Sequence, residues 1–322
     1  MKKNVFWMLI IGISILFSIC IGRYGLSMQD IIHSILFMQE GVGAHLIYTI
    51  RLPRILMAVL CGMSLSCAGM IFQSLFKNGL ASPDILGTTS GCSFGAVLAI
   101  LLGNSFFGVE IFSFGFGLLS LFFVFFMSKN AKGNRMFNLL IGGIIVQAIF
   151  TSMIMALKIL ADPYQQLPSM EYWMMGGLSD VNWFRLCFSA ILILICLFVL
   201  YKLRWVIQIL SFGEEANTLG INVGKMRLVV LVLSTILVSS VVSVAGPVSW
   251  VGLMIPHFVR QWKKESISKS FCLTAFLGAL FVLWSDTLAR SLFLIELPIS
   301  IVTSFFGAIY LLIVLKKGNR IV

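Results

Sequence analysis

Apolar stretches of about 20 residues recur along this chain, and each is long enough to cross the hydrocarbon of a bilayer as a helix. They predict spans at Val5–Ile21, Leu52–Phe72, Ile85–Leu102, Val109–Met127, Met136–Leu157, Trp183–Leu203, Leu228–Ala245, Trp250–Trp262, Phe271–Arg290 and Leu297–Leu315. Only 11% of the 322 residues are charged, whereas a soluble domain carries about 25%. The expectation is an all-α integral membrane protein, a single transmembrane domain over residues 1–322 with ten transmembrane helices.

The eighth stretch is too short for a full crossing and contains Pro256. It is predicted as one short broken helix, about 250–262, shielded from lipid by protein. Charge supports counting it. With ten spans and both termini cytoplasmic, 17 Lys and Arg lie inside and six outside, namely Arg23, Arg51, Arg54, Lys158, Arg185 and Arg290. Without the eighth span the count becomes 11 against 12, which loses the inside excess that sets membrane topology. The net charge of +11 then reflects topology and anionic lipid, with no call for nucleic acid. Lys2, Lys3 and the apolar run after them lack a small-x-small cleavage site, so they read as a retained first helix.

Two external loops are expected, at 22–51 and 161–182. The first holds a surface helix around IIHSILF, with His33 and His45 as ordinary surface histidines; the second is an aromatic lid. Seven cysteines fall in or beside apolar runs without CxxC spacing, so neither a disulfide framework nor a zinc site is predicted.

The polar break at 211–227, SFGEEANTLGINVGKMR, is one of the longest segments that lipid cannot hold. Glu214 and Glu215 suit the positive end of a short helix, Gly220 suits its close, and Asn222 suits the cap of the next. Phe212, Ala216 and Leu219 would share one face. Spacing alone leaves two readings open, an interfacial loop or a plug for a groove in another protein.

Gly87, Gly91 and Gly95 recur every four residues, a stripe that lets helices approach closely or lines a central path. Asp286 and Arg290 are four apart, the order that favours a pair within one helix. No phosphate loop of the form GxxxxGK[ST], no HExxH and no GxSxG occurs. No catalytic, cofactor or metal site is predicted. An ion-coupled secondary carrier would explain ten spans and a central path without a partner. Such carriers keep an ionisable group at mid-membrane, whereas Lys158, Arg185 and Asp286 all lie toward the outer edge.

Five stretches resemble the FecCD-type permease subunit of bacterial ATP-binding-cassette (ABC) importers for iron–siderophores, haem and vitamin B12. They are Arg51–Gly91 (RLPRILMAVLCGMSLSCAGMIFQSLFKNGLASPDILGTTSG), Tyr172–Leu178 (YWMMGGL), Gly213–Arg227, Ala245–Arg260 (AGPVSWVGLMIPHFVR) and Glu296–Val314. The resemblance implies a multi-pass protein of the bacterial cytoplasmic (inner) membrane that dimerises with a second copy or a paralogue. It implies two ABC ATPase subunits on the cytoplasmic face, an extracytoplasmic substrate-binding protein outside, and an iron–siderophore, haem or vitamin B12 cargo. On this chain the ATPase-coupling loop would be Phe212, Gly213, Glu214, Glu215, Ala216, Leu219, Gly220 and Arg227. Binding-protein docking would fall to Arg51, Arg54 and Arg290, and the inner gate to the region of Gly133, Asn134, Arg135 and Met136. Where relatives read NPLAxP this chain has FKNGLASPD, with Gly79 in place of the first proline. His257, in PHFVR, invites a ligand or relay role, against a hydrogen-bonded packing role.

Overall fold

A computed structural model describes residues 2–22, 42–129, 132–133, 135–292 and 295–316, with side chains from Val5 onward. The predicted surface helix with His33, the position Arg23 and the gate residue Asn134 lie outside the described residues. Among the described residues there is no strand.

The helices are α1 (Lys2–Cys20), α2 (Leu52–Leu75), α3 (Thr88–Leu101), α4 (Phe106–Ser128), α5 (Arg135–Leu160), α6 (Gln166–Met175), α7 (Trp183–Lys202), α8 (Arg204–Leu210), α9 (Val223–Ala245), α10 (Val251–Lys263), α11 (Ile267–Ser291) and α12 (Ile299–Lys316). Each predicted span coincides with a helix. Among the described residues, seven are long and apolar enough to cross a membrane: α2, α4, α5, α7, α9, α11 and α12. Helices α1 and α3 are shorter apolar helices, and α10 has 13 residues.

Helix α2 is the centre of the bundle. A π-helical turn, Leu46–Arg51, leads into it, and Pro53 fits its first turn because the missing N–H would be unbonded there anyway. Most of α2 is buried, and its principal neighbour is α11. The two meet backbone to backbone at Gly62 and Gly278: a Cβ on Gly62 would overlap the Gly278 carbonyl. Ser66 Oγ donates to Gly62 O at 2.7 Å and lies 3.1 Å from Thr274 O across the same contact. Small residues at a helix crossing are how membrane helices gain van der Waals contact.

Two expectations need correction. The eighth span is one unbroken helix that runs through Pro256. Proline cannot bond the carbonyl of Gly252 four residues back, and that carbonyl abuts Gly69 of α2, while the next one, Leu253 O, accepts from Gln73 Nε2 at 2.9 Å. Neighbouring α2 therefore supports the helix at the proline. The third span also starts later than hydropathy suggests. Pro83–Leu86 is a 3-10 turn, and α3 begins at Thr88, after Gly87 in the left-handed region at φ 68°.

Candidate functional site

At one end of the bundle, residues 211–227 join α8 to α9. Gly213–Leu219 is a seven-residue 3-10 helix with Glu214 and Glu215 in its first turn. Gly220, at φ 79°, closes it, since a residue without Cβ adopts that conformation freely. Asn222 Oδ1 accepts the Lys225 N–H at 3.0 Å and caps α9. The shared apolar face does not form. Ala216 is buried, while Phe212 and Leu219 are 54% and 61% exposed. Glu214 Oε1 accepts from both terminal nitrogens of the buried Arg227 at 3.3 Å, tying the 3-10 helix to α9.

The segment before α5 lies near this loop. Gly133 sits at φ 99°. Arg135 is exposed and opens α5, with its Nη1 3.3 Å from where a Cβ on Gly224 would stand. Met136 packs against the edge of the core.

At the opposite end, the three arginines expected as rim charges are 5–7% exposed. Arg51 Nη1 donates to Ile19 O at 2.5 Å. Arg54 donates to Asp286 and to Glu296, each at 2.9 Å. Arg290 donates to the Ser18 carbonyl and, at 2.7 Å, to Ser18 Oγ. Asp286 is wholly buried, and its nearer ion partner is Arg54 rather than Arg290, whose Nε is 3.6 Å away. Together these groups join α1, α2 and α11 to the loop before α12.

A lid helix, α6, lies at this end, and three of the five motifs meet beneath it. The Gly177 N–H donates to Ala245 O at 2.8 Å, the Ile299 N–H to Gly176 O at 3.2 Å, and Ser300 Oγ to Pro247 O at 2.6 Å. A Cβ on Gly246 would come 2.5 Å from Trp173 O, so only glycine permits this seam. A cavity of about 570 Å³ lies beside it, lined by Asn104, Tyr172, Trp173, Asp180 and Arg185 among others. Arg185 pairs with the buried Glu110 of α4 and donates to Asp180 O at 2.8 Å.

Of the glycine stripe, Gly87 faces Val146 of α5, while Gly91 and Gly95 bring α3 against the backbone of α4 at Phe116 and Phe112. His257 Nδ1 lies 2.7 Å from Tyr310 Oη, within a hydrogen bond between α10 and α12.

The family model for the FecCD transport family matches residues 9–317. The chain belongs to the FecCD transport family. A molybdate import system permease of Haemophilus influenzae is 37% identical, over 93% of this chain and 91% of the relative. A hemin transport system permease of Yersinia pestis is 34% identical, over 86% and 85%. A solved structure described as an inward-facing metal-chelate type ABC transporter superposes with a TM-score of 0.90 at 34% identity, covering 98% of this chain and 99% of that one. This FecCD protein is thus an ABC-importer permease, a multi-pass integral protein of the cytoplasmic membrane.

Three features of this FecCD chain escaped the sequence reading. Glu110 was hidden at the start of an apolar run, with its partner 75 residues away. Trp250 adopts φ 71°, unusual for a residue with a side chain, and its ring fills the space beside Gly307. Asp84 follows a proline just before a predicted span. The only local signal was the PD pair at a helix start.

Proposed function

We propose that this protein is the ten-span permease subunit of an ABC importer, with both termini cytoplasmic, and that it passes an iron–siderophore complex inward. A second copy or a paralogue completes the pathway, and two ATPase subunits on the cytoplasmic face hydrolyse ATP. The observation that carries this reading is the match to FecCD proteins along nearly the whole chain, with a TM-score of 0.90 to a metal-chelate type transporter. Phe212 and Leu219 are the exposed apolar pair that would enter an ATPase groove, steadied by Glu214 and Arg227. Movement there would reach the gate region of Gly133–Met136, since Arg135 lies beside Gly224 at the start of α9. The substrate-binding protein would dock on the lid end, over loops 22–51 and 161–182. Buried Arg51, Arg54 and Arg290 would act there by ordering the rim, with half-exposed Glu296 at its surface. Vitamin B12 and haem are the other chelates to weigh. Molybdate is a second reading, favoured by the 37% identity to the Haemophilus permease.

The test is co-purification with a candidate ATPase subunit, then uptake by the assembled importer in proteoliposomes. Wild type should retain the ATPase and take up a ferric hydroxamate; Phe212→Ala/Leu219→Ala should fold but release it. Failure to hold any ATPase, with uptake driven by a proton or sodium gradient alone, would restore the secondary carrier.

A further inference from the structure

The Pro83–Leu86 turn does not lie at an end of the bundle. A Cβ on Gly252 would meet Pro83 Cδ at 2.6 Å and Leu65 O at 2.8 Å. Leu65 is 13 residues into the 24 of α2. Gly143 of α5 meets Ile85, and Gly87 meets Val146 and Gln147. Gln147 is 12 residues beyond Arg135, about 18 Å along the helix axis at 1.5 Å per residue. Both long helices thus put Asp84 near their midpoints, where hydrocarbon is furthest from water. Charged groups at that depth face a protein interior or a water-filled path.

Asp84 lines a cavity of about 310 Å³ with Thr89, Ser90, Ser93, Gln147 and Thr151, and with Lys158 toward the lid end. Thr89 Oγ1 donates to Asp84 Oδ1, and Ser90 Oγ to Gly87 O at 2.9 Å. Gln147 and Thr151 are exposed on the face of α5 that this chain leaves uncovered. An amide and a hydroxyl at mid-helix are poorly placed against lipid, so this face suits an aqueous path. Lys158 donates to Glu171 at 2.8 Å, which offsets its charge. Among the described residues no lysine or arginine lies within ion-pair distance of Asp84. Asp84 is therefore the acidic group of the niche, with no cation paired to it and neutral hydrogen-bonding groups beside it.

We propose that this niche is a cargo-contact site at mid-membrane, taking a cationic or hydrogen-bond-donating group of a metal chelate onto Asp84 and disfavouring free oxyanions. Gln147, Ser93 and Thr151 complete the contacts. The assignment rests on the permease reading and narrows its cargo to donor-bearing chelates: a carboxylate accepts from ammonium, amide N–H or hydroxyl groups and repels molybdate.

The test is labelling of full-length protein in membrane vesicles, with Thr151→Cys or Ser93→Cys introduced into a Cys187→Ser background. Cys187 is the exposed cysteine among the described ones. A cationic and an anionic water-soluble methanethiosulfonate are the probes. Thr151→Cys should react about tenfold faster with the cationic reagent, the rate effect of a cleft of one charge sign. Asp84→Asn should bring that ratio near one, and Asp84→Glu should keep it. A ratio indifferent to Asp84→Asn would overturn the proposal, as would two inert cysteines in a folded protein. Labelling needs neither ATP nor cargo, so loss of transport alone would count against the permease reading and leave the niche standing.

Discussion

Arg54 and Asp286 are 232 residues apart, yet Nε and Oδ1 stand 2.9 Å from each other between α2 and α11. The pair crosses the same interface that Gly62 and Gly278 bring together, so close packing and charge neutralisation serve one contact. Removing one partner of a buried ion pair leaves the other charged and desolvated, which costs about 3–5 kcal/mol. Asp286→Ala should lower stability by that order, because it strips a partner from both Arg54 and Arg290. Thermal unfolding of the detergent-purified protein measures it, and an unchanged melting temperature would refute the structural role.

Gly62 and Gly12 make a matched contrast. A Cβ on Gly62 would overlap backbone of α11, whereas Gly12 has nothing within 4 Å. Gly62→Val should cost at least the roughly 1–3 kcal/mol of an overpacked core and reduce the yield of monodisperse protein. Gly12→Val should leave the elution profile as it is.

Glu214 pairs with Arg227 while its own side chain is 73% exposed. Its partner Arg227 is buried, so Glu214→Ala leaves that guanidinium short of an acceptor, a loss of about 1–3 kcal/mol. Glu214→Ala should therefore melt a few degrees below wild type, whereas Glu214→Gln keeps an acceptor and should melt closer to it. An unchanged melting temperature in Glu214→Ala would show that the loop helix does not depend on this pair.

The hydrogen bond between Tyr310 and His257 separates a packing histidine from a relay. Leaving a buried polar partner unbonded costs about 1–3 kcal/mol. Tyr310→Phe should lower stability by that amount while uptake per folded molecule stays unchanged. Normal stability with collapsed uptake would point to proton transfer through His257.

Long apolar stretches determined by themselves that this chain is a helical membrane protein, because unbonded backbone is intolerable in hydrocarbon. Local chemistry also carried Gly220 and Asn222, whose capping depends on neighbours a few residues away. Tertiary structure alone decided what pairs at long range: Arg54 with Asp286, Arg185 with Glu110, Tyr310 with His257. It also turned arginines that read as rim charges into buried ties. Asp84 shows the reason most clearly. Hydropathy along the chain cannot tell a loop at the membrane surface from one folded back to the middle of its neighbours, and that depth follows from close packing at Gly252 and Gly143.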